Sequence, residues 1–447
     1  MQIGGFISAN DPVRFTAPLP DAADVVIIGG GVVGVATALY LTRAGQSVVL
    51  CEKGRIACEQ SSRNWGWVRQ QGRDLAELPI MIESMRLWEG LQQELGDRVG
   101  LRRTGVTYLA ESEDQLARYA AWMDSVKDFG LDTRMVTRAE LAVSLPSAAE
   151  WVGGLTTPSD ARAEPWTAVP AMAELAAREG ATIIEDCAVR TIDTTNGQVA
   201  GVVTEKGPIG ADRVLVAGGA WSSLFLRNAG VSIPQLSVRA TAAATAELPD
   251  FWKGAAVDSR FAFRRRLDGG YTLAPGTGHD FWIGPDAVRA FRKYLPQLCR
   301  DFRSTNMSID APTGYPDAWR TPRRWRGDQQ SPFERMRVLD PPPNMAFVER
   351  FHESFGKVFP DVGPPPIKRS WAGMIDTMPD QVPILDESPV KGMFIATGLA
   401  GHGFGIGPGV GRVMADLLRG LTAGYDLTRF RFSRFSDGSR IEMGPSL

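Results

Sequence analysis

Residues 24–53 hold the strongest constraint on what this chain can fold into. An apolar run, Asp24-Val-Val-Ile-Ile28, enters Gly29-x-Gly31-x-x-Gly34; a helical stretch follows to Gly45, and a second apolar run at 47–51 delivers Glu52 and Lys53. That order predicts a βαβ unit built around a pyrophosphate. Gly29 permits the tight turn, Gly31 lets the backbone approach the anion at the helix N-terminus, and Gly34 lets the helix lie close on the strand. Glu52, with Lys53 beside it, sits where a carboxylate accepts hydrogen bonds from ribose hydroxyls. Glycines alone prove little in a chain with 48 of them. The flanking strand, helix and acidic residue make the match specific. The expected fold class is α/β, with a Rossmann-like nucleotide-binding domain.

Composition narrows the rest. A formal net charge of −2 gives no global pull towards nucleic acid, and no such partner is expected. Cys51, Cys58, Cys187 and Cys299 show no paired spacing and only three histidines are present, so neither a disulfide framework nor a metal site is expected. Residues 1–23 carry charges and Pro12, Pro18 and Pro20 without a long apolar run. The expectation is no signal peptide, no transmembrane anchor and a cytoplasmic location.

Past Glu52, the stretch 59–73 mixes hydroxyl, amide and guanidinium groups with Trp65 and Trp67. Such a segment suits polar clamping of a diphosphate and aromatic packing on a planar ring. A helix is expected at 78–95, with Ile82, Met85, Leu87, Leu91 and Leu95 on its apolar face. Residues 185–193 and 198–205 read as a hairpin about Asn196-Gly197, and 213–222 as a buried strand, a glycine turn and a helix start capped by Ser222 or Ser223. Near the C-terminus come a strand at 392–398, a glycine loop at 399–407 and a helix opened by Pro408 and ending at Arg419.

The segments at 24–53, 185–222 and 392–419, in this order, resemble the D-amino acid oxidase-like superfamily of FAD-dependent oxidoreductases, which includes the glycine and sarcosine oxidases. The resemblance runs from Asp24 to about Arg419. Its middle part is most similar to bacterial L-amino acid deaminases, through Cys187-Ala-Val-Arg, Val203-Thr-Glu-Lys-Gly207, Ala217-Gly-Gly-Ala-Trp-Ser222, Phe263-Arg264 and Ser331-Pro-Phe-Glu-Arg335. The resemblance implies one FAD, with Val189 near the adenine and Ser61, Ser62 and Arg63 at the diphosphate. It places the loop of Gly401, His402, Gly403 and Gly405 beside the flavin. Trp65, Gly66, Gly218 and Trp221 are further cofactor-binding candidates. Monomeric sarcosine oxidases tether their flavin through a cysteine after a strand resembling Arg369-Ser-Trp-Ala372; Gly373 stands there, which implies non-covalent FAD.

The implied architecture is α+β overall, with two domains interleaved in sequence. The FAD domain is expected to draw on 22–100, 150–235 and 365–425. An antiparallel-sheet substrate domain takes 101–149 and 236–364, with 275–332 as an irregular insert. Strands at 257–266 and 270–274 flank Asp268-Gly269. Within the insert, Val288, Phe291, Leu295, Leu298 and Phe302 make a helical stripe that Pro296 should disturb. A core-facing helix is the first reading of that stripe. Peripheral contact of residues 281–326 with an anionic membrane is the second.

The chemistry implied is oxidation of the C–N bond of an amino acid or related secondary amine by hydride transfer to flavin N5, giving an imine hydrolysed to a keto acid. The partners implied are an amino acid or amine substrate and a quinone or protein electron acceptor, with oxygen as the alternative. Arg264 matches the carboxylate-binding arginine of the deaminases and Arg69 that of the sarcosine oxidases. Either offers the fork that a carboxylate accepts. Gln70, Trp65, Trp67 and Trp371 are candidates to line the cavity, and His402 is a candidate for acid–base work or hydrogen bonding. A D-amino acid or N-alkylglycine oxidase is the alternative enzyme, and a flavin-binding interaction protein the alternative without turnover.

Overall fold

In the computed structural model, which describes residues 1–301 and 304–445, the glycine motif sits in a six-stranded sheet. Its strands run in the order Thr182–Ile184, Val48–Cys51, Val25–Ile28, Arg213–Val216, Met393–Thr397 and Ile384–Glu387; the first five are parallel and the last antiparallel. Val25, Val26 and Ile27 are fully buried, as are Val214, Leu215 and Val216. A parallel strand covered on both faces needs such a continuous apolar run rather than alternation. Helices Val32–Arg43, Leu78–Leu95, Pro165–Arg178 and Gly403–Leu418 cover one face in a single core. The antiparallel sheet of Val189–Thr195, Gln198–Thr204 and Gly207–Gly210 covers the other. The turn joining its first two strands has Asn196 and Gly197 at φ 53° and 77°, the left-handed pair that a two-residue hairpin demands.

A second sheet, of eleven strands among the described residues, stands beside the first. Leu236–Glu247 and Ile367–Thr377 pair antiparallel along its longest strands, and Phe261–Arg265 and Gly270–Pro275 form the expected hairpin. One face packs on helix Met345–Val358 through a cluster that includes Phe261, Phe263, Phe351 and Phe355.

Four local expectations need correction. Gly153–Thr157 and Ile367–Thr377, expected with the nucleotide half, hydrogen-bond into the large sheet. The 275–332 insert is not irregular, since it holds strands His279–Trp282 and Thr305–Ser308 around helix Pro285–Asp301, which continues through Pro296. Its stripe faces outward: Val288 is 60%, Phe291 53% and Leu295 41% exposed, while Arg289 and Tyr294 turn inward to the carbonyls of Ile233 and Thr377. Phe302, the last member of the stripe, lies outside the described residues.

The third and fourth corrections concern two packed helices. Leu78–Leu95 buries Met81, Met85, Trp88 and Leu91, whereas Ile82 and Leu87 lie at its margin. The final helix begins at Gly403, five residues before the expected start, with Pro408 inside it. Its glycines form a packing seam. A Cβ on Gly407 would come within 2.5 Å of Val32, on Gly409 within 2.5 Å of the Ile80 carbonyl, and on Gly411 within 2.5 Å of Ala36. Ser84 locks the crossing by donating to the Gly405 carbonyl at 2.7 Å and accepting from the Gly409 N–H at 3.1 Å.

Candidate active site

Two cavities meet where the sheets adjoin. The first follows the glycine motif. A Cβ on Gly29 would sit 2.5 Å from the Ala217 carbonyl, and one on Gly34 only 2.0 Å from the Gly29 carbonyl, so both strand exit and helix crossing require glycine. The helix N-terminus has no acidic residue in its first turn. Ser61 Oγ accepts from the Val32 N–H at 2.9 Å there. Glu52 accepts from the N–H groups of Gly30 and Gly54, each at 2.7 Å, and its burial raises the carboxyl pKa against those bonds. Gly29, Gly31, Glu52, Ser61, Val189 and Gly218 all line this crevice, and Gly401 and Gly403 close its far end. A donor-rich helix end of positive dipole density, with glycines where side chains would collide, fits a pyrophosphate-linked nucleotide such as FAD.

Lys53 and Trp221 also line the crevice, joined through Glu59. Lys53 Nζ lies 2.6 Å from Glu59 and 4.4 Å above the Trp221 ring, whose N–H donates to the same carboxylate at 3.0 Å. Asp376 braces the loop at the other end: it accepts from the Gly398 N–H at 2.6 Å, and its own carbonyl accepts from Ala400, a non-glycine residue held at φ 49°. Sequence reasoning missed both acids, because their partners lie far along the chain.

The other cofactor candidates lie elsewhere. Ser62 is fully buried with its hydroxyl towards the Glu59 carbonyl. Arg63 donates to the carbonyls of Leu339 and Ala372 and pairs with Asp340 at 3.0 Å. Gly66, at φ 78°, packs under Arg264, and Gly405 serves the helix crossing.

The second cavity, about 390 Å³, shares Gln60, Asn64, Gly401 and Phe404 with the first. Trp65 and Trp67, in edge-to-face contact at 5.4 Å, form one wall. Arg69 and Tyr108 converge on it. A Cβ on Gly72 would lie 3.2 Å from Arg69 Nη1 and 2.9 Å from the Tyr108 hydroxyl, and the guanidinium stands 5.7 Å over the phenol ring. Burial pushes the Tyr108 phenol pKa up, so the group stays a neutral donor. Three further charges on the wall are matched: Arg73 faces Glu77 at 3.5 Å, Arg63 faces Asp340, and Asp258 is held by Arg260. Arg69 has no carboxylate within salt-bridge distance among the described residues. The cavity therefore carries one cation without a direct ion-pair partner on its wall; its Nη1 donates to the Gln71 carbonyl, and its charge acts on the buried Asp160 behind it.

His402 lines the same cavity at the N-cap of the final helix. Burial, then Arg73 and Arg69, hold its pKa well below the usual imidazole value, so the ring is neutral.

Arg264 is not in this cavity. Its side chain is fully buried, and its fork is filled by the Glu164 carboxylate at 2.9 and 3.2 Å, while Nε donates to the Trp65 carbonyl. The guanidinium supports the back of the tryptophan wall. Gln70 turns away as well, towards Ser159 and Asp160. Trp371 is fully buried against Phe6, its N–H donating to the Arg63 carbonyl.

A family model described as FAD dependent oxidoreductase matches residues 24–417. The chain belongs to that family. This flavin-dependent oxidoreductase is 26% identical over 427 residues to the sarcosine oxidase subunit beta of Rhizobium meliloti (strain 1021), covering 94% of this chain and 90% of that protein. It is 25% identical over 445 residues to the mitochondrial sarcosine dehydrogenase of Homo sapiens, covering 96% of this chain but spanning only 43% of that protein. Its fold matches the L-amino acid deaminase of Proteus myxofaciens, solved in complex with anthranilate, with a TM-score of 0.90, 28% identity and 98% of each chain covered.

Proposed function

We propose that the enzyme oxidises the C–N bond of an amino acid or related secondary amine, giving an imine that water hydrolyses to a keto acid. The observation that carries this reading is the single guanidinium without a direct ion-pair partner on the wall, Arg69, in an aromatic-walled cavity that opens onto the flavin loop. Gly29, Gly31 and Ser61 would hold the FAD diphosphate, Glu52 the ribose, Val189 the adenine, and Gly401 with Gly403 the ring. Bound FAD supplies the two-electron acceptor, taking a hydride at N5. Arg69 and the Tyr108 hydroxyl grip the substrate carboxylate, which aims the adjacent C–H, and orientation of this kind is worth roughly 7 to 11 kcal/mol at its limit. Trp65, Trp67 and Phe404 exclude water.

A second reading, an N-alkylglycine oxidase, is favoured by the likeness to sarcosine oxidase subunit beta. Anaerobic flavin reduction by matched primary and N-methyl amino acids separates the two. Faster bleaching by the N-methyl compounds selects the second.

The flavin is proposed to be non-covalent. A Cβ at Gly373 would lie 2.3 Å from Gln60 Oε1 and 3.1 Å from the Arg63 Cβ, so no tethering side chain fits there without displacing its neighbours. Acid precipitation of the yellow protein should leave the colour in the supernatant. Colour in the pellet would contradict this.

Electrons are proposed to leave to a membrane quinone rather than to oxygen. Val288, Phe291 and Leu295 make an outward apolar face on Pro285–Asp301 beside exposed Arg292, a combination suited to peripheral seating on an anionic bilayer. No helix of the described residues is long and apolar enough to cross a membrane. Turnover should be faster with quinone in anionic vesicles than with oxygen, and Phe291→Glu should reduce co-sedimentation with those vesicles. Equal rates with oxygen, or unchanged co-sedimentation, would refute the docking.

A further inference from the structure

The floor under His402 is built from charges that nothing in the cofactor or carboxylate sites uses. Glu77 precedes helix Leu78–Leu95 with its side chain 1% exposed, and its Oε2 lies 3.8 Å from His402 Nδ1 and 3.5 Å from Arg73 Nη1. Arg73 is tied in place, donating to the carbonyls of Arg69 at 3.1 Å and His402 at 3.0 Å. Two buried atoms at this junction lack a hydrogen-bond partner: Glu77 Oε1 and His402 Nδ1. They belong to the two groups that face each other. The imidazole keeps 24% of its side chain exposed, on the edge that lines the cavity.

We infer that Glu77 is a positioning residue whose carboxylate holds His402 with the proton on Nδ1, leaving the Nε2 lone pair to accept a hydrogen bond from the substrate amine. The inference rests on the amine-oxidising reading of the cavity. In the opposite tautomer, the Nδ1 lone pair would face a buried carboxylate, placing two acceptors against each other with no donor between them. The present separation is longer than a hydrogen bond. Loose geometry of this kind is usual before substrate binds. The charged groups facing the ring are Glu77, Arg73 and Arg69, with Asp74 behind Glu77. The two guanidiniums and burial keep the ring neutral, while burial raises the Glu77 carboxyl and Arg73 opposes that rise. No proton need move to His402. A fixed acceptor orients the amine N–H, and with it the lone pair that supports C–H cleavage.

The chain's three histidines, His279, His352 and His402, make the test tractable. Two-bond proton–nitrogen spectra of the FAD-loaded, ¹⁵N-histidine-labelled enzyme give three ring patterns, and His402→Gln removes and so assigns one. The expected result is a neutral Nδ1–H tautomer for His402 from about pH 6 to pH 8. Glu77→Gln should mix or invert that tautomer and lower kcat on the order of tenfold with little change in KM, and Glu77→Asp should recover part of both. An Nε2–H tautomer in the wild type, or one unmoved by Glu77→Gln, overturns the assignment. If Glu77→Gln does not fold, the wild-type spectrum and Glu77→Asp decide. Failure of every amine to reduce the flavin would sink the amine-oxidising reading while leaving the tautomer result intact, so the two failures are distinguishable.

Discussion

Arg69→Ala lowers kcat/KM for every carboxylate-bearing amine by roughly 2 to 4 kcal/mol of transition-state binding, the range for losing a charge-assisted partner in a desolvated site. The expectation follows from charge matching around the cavity. Arg73, Arg63 and Asp258 already have counter-charges, so Arg69 alone can neutralise an incoming anion. Steady-state kinetics on an amino acid and its amide check it: the acid should lose most of its advantage over the amide in the variant. Arg69→Lys should recover little, because an ammonium cannot offer the two-pronged contact. A uniform loss on acid and amide would move Arg69 out of carboxylate binding.

Arg264→Ala should act on stability. Truncation takes the bidentate partner from buried Glu164, leaving it only Arg162 at 3.7 Å and the Leu267 N–H, a loss that costs up to about 3 to 5 kcal/mol, and removes the donor to the Trp65 carbonyl. The thermal unfolding midpoint should fall sharply. At low temperature, the KM of the folded fraction should stay close to that of the wild type. Pairing Arg264→Ala with Glu164→Ala should recover little of the lost stability, because it strands buried Arg162, which also pairs with Glu164. A normal midpoint with a large rise in KM would return Arg264 to the substrate site.

The contrast between these two arginines shows where the sequence stops being legible. Both residues lie in plausible motifs, but what Arg264 faces is decided by Glu164, one hundred positions away. No local pattern carries that pairing. Gly29, Gly31 and Gly34 were readable because each answers a steric demand within its own βαβ unit, and Asn196-Gly197 because the turn itself requires φ above zero. Gly405 and Gly407, read as loop, failed the same reading, and with Gly409 and Gly411 they form a seam. Their small size serves helix crossings against Val32, Ala36 and Ile80, which are hundreds of residues earlier. The outward face of Pro285–Asp301 misled for a related reason: an apolar stripe shows that a face is dry, without showing what dries it. Tyr108 and Glu77 sit in unremarkable strand and helix-entry sequences. They matter only because the fold brings them under Arg69 and His402.

The central claim is that a carboxylate-bearing amine reduces a flavin seated beside Arg69. Anaerobic stopped-flow reduction of the FAD-loaded wild type and Arg69→Ala, across D- and L-amino acids, their N-methyl forms and the matching amides, tests it most directly. The account predicts rapid bleaching by at least one acid series in the wild type, slow bleaching by the amides, and convergence of the two in Arg69→Ala. Bleaching by no amine, or equal rates for acids and amides in the wild type, would contradict it.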